Sequence, residues 1–90
     1  MSKTSVKDAK KIIKQAEKAK ESQSRIRLFQ EAFRVYDAAL KLSRSGENLV
    51  GTARCLVELG RKQEARELVE EALKVQPAYK PALVLKKKLV

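Results

Sequence analysis

The twelve residues from Glu31 to Leu42 return 33 positions later, from Glu64 to Val75. Identity holds at Glu31/Glu64, Ala32/Ala65, Ala39/Ala72, Leu40/Leu73 and Lys41/Lys74, while Val35/Leu68, Tyr36/Val69, Asp37/Glu70 and Leu42/Val75 keep their character. A period of this length marks one supersecondary unit used twice, each with an apolar face that only a neighbour can bury. Stacked units leave a long continuous surface, so the pattern implies an interaction scaffold without naming a partner.

The rest of the chain narrows the fold to all-α. Ninety residues make one domain near the lower end of what buries its own core. With two Phe, two Tyr and no Trp, aliphatic residues and alanine must fill that core. Three glycines and two prolines are too few for the turns of a sandwich or barrel. Cys55 has no second cysteine to pair with, which favours a reducing compartment, the cytosol or nucleus. No apolar run reaches the roughly 18–20 residues of a membrane span, and the lysine-rich start lacks a signal-peptide core.

Helical spacing gives five helices joined by short turns, hence antiparallel neighbours. Residues 1–5 are read as a disordered tail and 6–90 as the domain. The first helix begins at Val6, with Val6, Ala9, Ile13 and Ala16 on one stripe, widened by Ile12 and Ala19. The second is expected over 26–43, capped by Ser22 or Ser24, with Phe29, Ala32, Phe33, Tyr36, Ala39 and Leu40 as its seam. The third, over 47–59, packs through Leu49, Ala53 and Leu56 and ends at Gly60 in a left-handed cap. The fourth, over 62–75, uses Ala65, Leu68, Val69, Ala72 and Leu73 and stops before Pro77. The last, over 78–89, lines up Ala78, Ala82, Leu85 and Leu89, leaving Leu83, Val84 and Val90 outside the stripe.

Leu49, Ala53, Leu56, Gly60, Ala65, Val69, Ala72, Leu73 and Pro77 stand at the characteristic positions of a tetratricopeptide repeat, and the stretch 49–77 resembles that family. Ala32, Tyr36, Ala39, Leu40 and Leu42 fit the second helix of an earlier repeat. There Lys20 falls near the small-residue position of the first helix, and Arg44 stands where proline is usual. The resemblance implies a short α-solenoid: repeat 1 over about 10–45, repeat 2 over about 46–79, and a capping helix over about 78–89. Two repeats are fewer than the three such arrays usually need, which implies a piece of a larger protein, a terminal domain or half of an oligomer. A three-helix microtubule-interacting and trafficking-like module is the rival architecture for the first half.

The same resemblance implies a concave groove along the first helix of each pair, where the family binds peptides. By position its lining would be Glu47, Val50, Arg54, Val57 and Glu58 from the second repeat, and Lys14, Glu17, Glu21 and Arg25 from the first. The clamp with which some relatives hold a chaperone's terminal carboxylate does not carry over, because Glu17, Glu21 and Gly51 occupy three of its positions. Arg54 is the groove's best candidate for a partner's carboxylate.

Charge and chemistry set the remaining expectations. The net charge is +10, and the excess lies at the ends: eight basic against three acidic residues in 1–25, eight against four in 61–90. Lys7, Lys10, Lys11, Lys14, Lys18 and Lys20, and Lys86, Lys87 and Lys88, form basic patches that fit an acidic protein or a nucleic-acid backbone. No exposed aromatic set beyond Tyr79 offers a stacking platform. There is no His, the commonest general base and metal ligand. Cys55 reads as a buried small hydrophobe, and Glu64, Glu67, Glu70 and Glu71 as a solvated face with pairs such as Glu70–Lys74. No phosphate-cradling glycine loop, metal site or cofactor is expected. The sequence reading is a non-enzymatic adaptor for an acidic or amphipathic segment of another protein, monomeric or weakly dimeric, with nonspecific nucleic-acid contact as the alternative.

Overall fold

A computed structural model describes residues 5–89 of the chain. The expected disordered tail therefore lies outside the described residues over 1–4, as does Val90. Ser5 is instead a helix cap: its hydroxyl accepts from the Asp8 N–H at 3.4 Å, and the Asp8 carboxylate accepts from the Ser5 N–H at 3.0 Å.

Five α-helices follow: α1 (Val6–Lys18), α2 (Ser22–Leu42), α3 (Gly46–Glu58), α4 (Lys62–Val75) and α5 (Lys80–Leu89). Among the described residues there is no strand. No described helix is long and apolar enough to cross a membrane. The pairs α1/α2 and α3/α4 pack internally, α2 joins α3, and α5 lies on α4 and α3. This is a five-helix paired layout, not a three-helix module.

Two starts differ from expectation. α2 begins at Ser22, four residues before Ile26, so Ser22 and Ser24 are inside the helix; Glu21 is the cap residue and makes no side-chain cap bond. One tertiary and one local contact hold this extra turn: Arg25 pairs with Glu58 of α3 at 3.1 Å and, within α2, sits over the Phe29 ring, 5.4 Å from its centroid. α5 begins at Lys80, and Ala78 is exposed in the turn rather than on the inner stripe. Pro81 explains this, since proline is tolerated only in a helix's first turn, and a start at 78 would demand an N–H bond from it. Tyr79 packs against the core in place of Ala78.

The other boundaries follow from local chemistry. Ser45 caps α3, accepting from the Asn48 N–H at 3.2 Å, while the Asn48 amide donates to the Ser43 carbonyl at 3.0 Å and ties off α2. α3 ends as its glycine predicts. Gly60 has φ +81, its N–H bonds to the Val57 carbonyl at 3.1 Å, and the Arg61 N–H reaches Leu56 at 2.8 Å. These two bonds form a Schellman motif. At the far end Arg66 of α4 donates twice to the Leu89 carbonyl, at 3.1 and 2.6 Å, holding the last turn of α5.

Seven alanines (Ala9, Ala16, Ala32, Ala53, Ala65, Ala72 and Ala82) are fully buried, which lets the helices approach closely. One cluster joins Leu49, Leu56, Val69 and Leu85 across α3, α4 and α5; the other joins Ile13, Phe29 and Tyr36 across α1 and α2 with Cys55 of α3. Phe33 packs against both. Phe33, Ala39, Leu68 and Leu73, expected in the seams, are only half-buried. They lie on α2 and α4, which pack on α1 and α3 and on α3 and α5 respectively. The expected Glu70–Lys74 pair is absent among the described residues. Glu71 instead takes a bidentate bond from Arg44 at 2.6 and 2.7 Å, and Glu64 one from Arg61 at 2.7 and 2.8 Å. Arginine's planar fork fits a carboxylate bidentately.

Candidate binding groove

Helices α1, α3 and α5 face a common trough, made of two adjoining hollows of about 350 and 510 Å³ that share Glu17, Val50, Arg54 and Pro81. Each helix contributes a short ladder of side chains: Lys10, Ile13 and Glu17 from α1, Glu47, Val50 and Arg54 from α3, and Pro81, Val84 and Lys88 from α5. The middle rungs, Ile13, Val50 and Val84, form an apolar row across the three helices, with Ile13 and Val50 buried in its floor and Val84 exposed. Charged residues stand on both sides of it.

Ion pairs fix the register of this surface. Lys10 of α1 meets Glu47 of α3 at 3.4 Å, and Glu17 of α1 pairs with Arg54 of α3. Both pairs join residues 37 apart, so α1 and α3 run parallel, side by side. That offset sets Ala16 beside Ala53, both fully buried, and leaves Lys20 exposed in the α1–α2 link. The small residue of the first helix is therefore Ala16, not the position near Lys20. The 33-residue period holds for α2 and α4, but the first pair carries four more residues between its alanines: Ala16 to Ala32 against Ala53 to Ala65. The four are a balance: measured from these alanines α1 ends three residues sooner than α3, the links are equal in length, and α2 starts seven residues sooner than α4.

This shift decides which expected residues meet. Glu47, Val50, Arg54, Val57, Glu58, Lys14 and Glu17 all line the trough, and Arg25 closes one end beside Glu58. Glu21 does not line it; it lies one turn too far along, as the cap residue of α2. Lys10 and Ile13, absent from the sequence-based lining, take its place. Matching Ala9, Ile13 and Ala16 to Gly46, Val50 and Ala53 would have found them. The α5 wall was also missed, although Pro81, Val84 and Lys88 repeat the Glu47, Val50, Arg54 spacing at an offset of 34.

The floor has one tight contact. Tyr36 of α2 reaches the trough from below through Gly51 of α3, where an added Cβ would stand 2.1 Å from Tyr36 Cε1. A glycine inside a helix costs about 1 kcal/mol relative to alanine, and here it admits an aromatic ring against the helix backbone. Burial pushes the Tyr36 phenol up to about 12. Burial likewise pushes the Cys55 thiol up to about 12, outweighing Arg54, so this side chain is a thiol at neutral pH and part of the core.

No family model, curated protein or solved structure matches the chain. Its chemistry is therefore read from the trough itself. All three lining glutamates are held by the chain's own cations: Glu17 by Arg54, Glu47 by Lys10 and Glu58 by Arg25. Among the described residues Lys14, Lys80 and Lys88 line the trough without a carboxylate partner. The surface is an apolar row in a net-positive setting. Lys7, Lys11, Lys18 and Lys20 are exposed outside it, and Lys86 and Lys87 stand with Lys88 on the last turn of α5, where cations favour the helix dipole.

Proposed function

We propose that this chain is a tetratricopeptide-like, non-enzymatic adaptor whose α1–α3–α5 trough holds an acidic, amphipathic segment of another protein. The observation that carries this reading is the composition of the trough: the apolar row Ile13, Val50 and Val84, every lining glutamate already paired, and Lys14, Lys80 and Lys88 left over. Apolar side chains of the segment pack on the exposed Val84 end of the row, and its carboxylates meet the three lysines. Steering by the surrounding positive field speeds encounter and suppresses basic competitors. The buried lone thiol of Cys55 suits the cytosol or nucleus.

The test is fluorescence anisotropy with a labelled acidic amphipathic peptide and a charge-reversed peptide of the same apolar pattern. The acidic peptide binds and the basic one does not. Val57→Asp weakens binding by at least about tenfold, the equivalent of 1.4 kcal/mol, with helicity unchanged by circular dichroism. Equal binding of both peptides, or indifference to Val57→Asp, would remove the reading.

A further inference from the structure

The outer face of α1 is a continuous line of cations. Lys7, Lys11, Lys14 and Lys18 follow i, i+4, i+7 and i+11, all exposed, and none has a carboxylate partner among the described residues. The two acidic side chains of α1 are turned to other work: Asp8 caps the helix, and Glu17 holds Arg54. The face is thus free of negative charge over about 16 Å at 1.5 Å per residue.

Such an arrangement carries a local cost. Like charges at i, i+4 destabilise a helix, and Lys7/Lys11, Lys10/Lys14 and Lys14/Lys18 are three such pairs. Lys7 also stands in the first turn, at the positive end of the helix dipole. Solubility alone would be served as well by lysines spread among carboxylates. An anionic partner on this face turns the repulsion into attraction.

The face also limits which polyanion fits. α1 bears no exposed large apolar side chain to enter a lipid surface; those with clear exposure, Ile26, Leu42, Val75, Leu83 and Val84, lie on α2, α4 and α5. It bears no arginine and no aromatic, hence no bidentate fork and no base-stacking platform. A row of lysine point charges reads charge density alone. Duplex nucleic acid supplies one negative charge per about 1.7 Å of axis. The geometry points to the lysine face of α1 as a sequence-independent binding site for the phosphate backbone of duplex nucleic acid, which meets the peptide trough only at Lys14.

The experiment titrates the full chain against a labelled duplex of arbitrary sequence across 50–200 mM KCl. Four lysines at about −0.9 each give a log–log slope near −3.6 and roughly a hundredfold loss of affinity over that range. The triple variant Lys7→Gln, Lys11→Gln, Lys18→Gln leaves Lys14, which the trough shares, in place; its slope falls to about −0.9. Glutamine preserves helix propensity, and circular dichroism verifies the fold. Should the triple variant unfold, the single variants Lys11→Gln and Lys18→Gln each reduce the slope by about 0.9 and serve in its place. Val57→Asp, which blocks the trough, leaves duplex binding unchanged, so this site and the adaptor reading fail independently. The proposal is overturned if the parent chain does not bind duplex at 50 mM KCl. It is equally overturned if the lysine variants bind like the parent, or if the loss follows Lys86→Gln, Lys87→Gln, Lys88→Gln instead.

Discussion

The two helix pairs of this chain share their seams but not their turns. In the second pair Gly60 closes α3 with a left-handed residue and two backbone bonds, and α4 starts two residues later. In the first pair an extended Ala19 and an extended Glu21 link α1 to α2 without a glycine, and α2 is 21 residues long against 14 in α4. The buried alanines are kept in both pairs because the seven residues added to α2 and the three missing from α1 lie at helix ends, which leaves the spacing of Phe29, Ala32 and Tyr36 along α2 unchanged. The comparison teaches that the helix faces conserve the stack while the helix ends and turns are free to differ.

The register of the first pair is the most exposed part of that argument, and Ala16 tests it. Ala16 is fully buried at the height of Ala53, so Ala16→Leu overpacks the α1 contact and costs about 1–3 kcal/mol. Lys20→Leu, at the position one turn away, changes stability by less than about 0.5 kcal/mol because that side chain is exposed in the link. Urea denaturation of the two variants decides between registers. A costly Lys20→Leu with a neutral Ala16→Leu would restore the uniform 33-residue spacing and break the comparison.

Much of the fold was legible because helical periodicity and alanine placement are local signals. α4 was read to the residue, and α3 to within one at each end, since Gly60 and Pro77 punctuate them. What was not legible depended on contacts between distant residues. The first turn of α2 looks like a polar linker until Arg25 finds Glu58, and nothing local announces that pairing. Pro81 did announce the start of α5, but its meaning competes with the apolar pattern that includes Ala78. The trough was seen from the second repeat and misplaced by one turn in the first, because the offset was carried over from α2 and α4. The true offset is written in the ion pairs Lys10–Glu47 and Glu17–Arg54.

Gly60 sharpens the difference between the turns. It is exposed, and a Cβ there meets nothing within 4 Å, so Gly60→Ala changes conformational strain alone. At φ +81 that strain is about 1–2 kcal/mol. The link of the first pair has no positive-φ residue, so Lys20→Ala costs nothing comparable. Thermal unfolding of both variants measures the contrast, and an unaffected Gly60→Ala would mean that the Schellman bonds survive without the glycine.

The smallest effect concerns the turn between the pairs. Where the resembling family places proline, Arg44 instead reaches α4 and makes its bidentate bond to Glu71. The pair is exposed and screened, so Arg44→Ala costs only about 0.2–1 kcal/mol at low salt. Its pH dependence identifies the cause. The hydrogen bond from Arg44 lowers the Glu71 pKa, against a smaller opposing effect of burial. A carboxyl whose folded pKa lies below its unfolded value contributes stability that is full above the unfolded value, about 4.3, and is lost as pH falls through the folded one. The parent and Arg44→Ala therefore differ in stability at pH 7 and converge as the pH falls through the lowered folded value of Glu71, where its carboxylate takes up a proton. Convergence should also occur at neutral pH in about 1 M salt, where the Debye length shrinks to about 3 Å. A gap that persists through both conditions would assign the role of Arg44 to the packing of its alkyl chain, and the turn between the pairs would then be held as a proline holds it, by shape rather than charge.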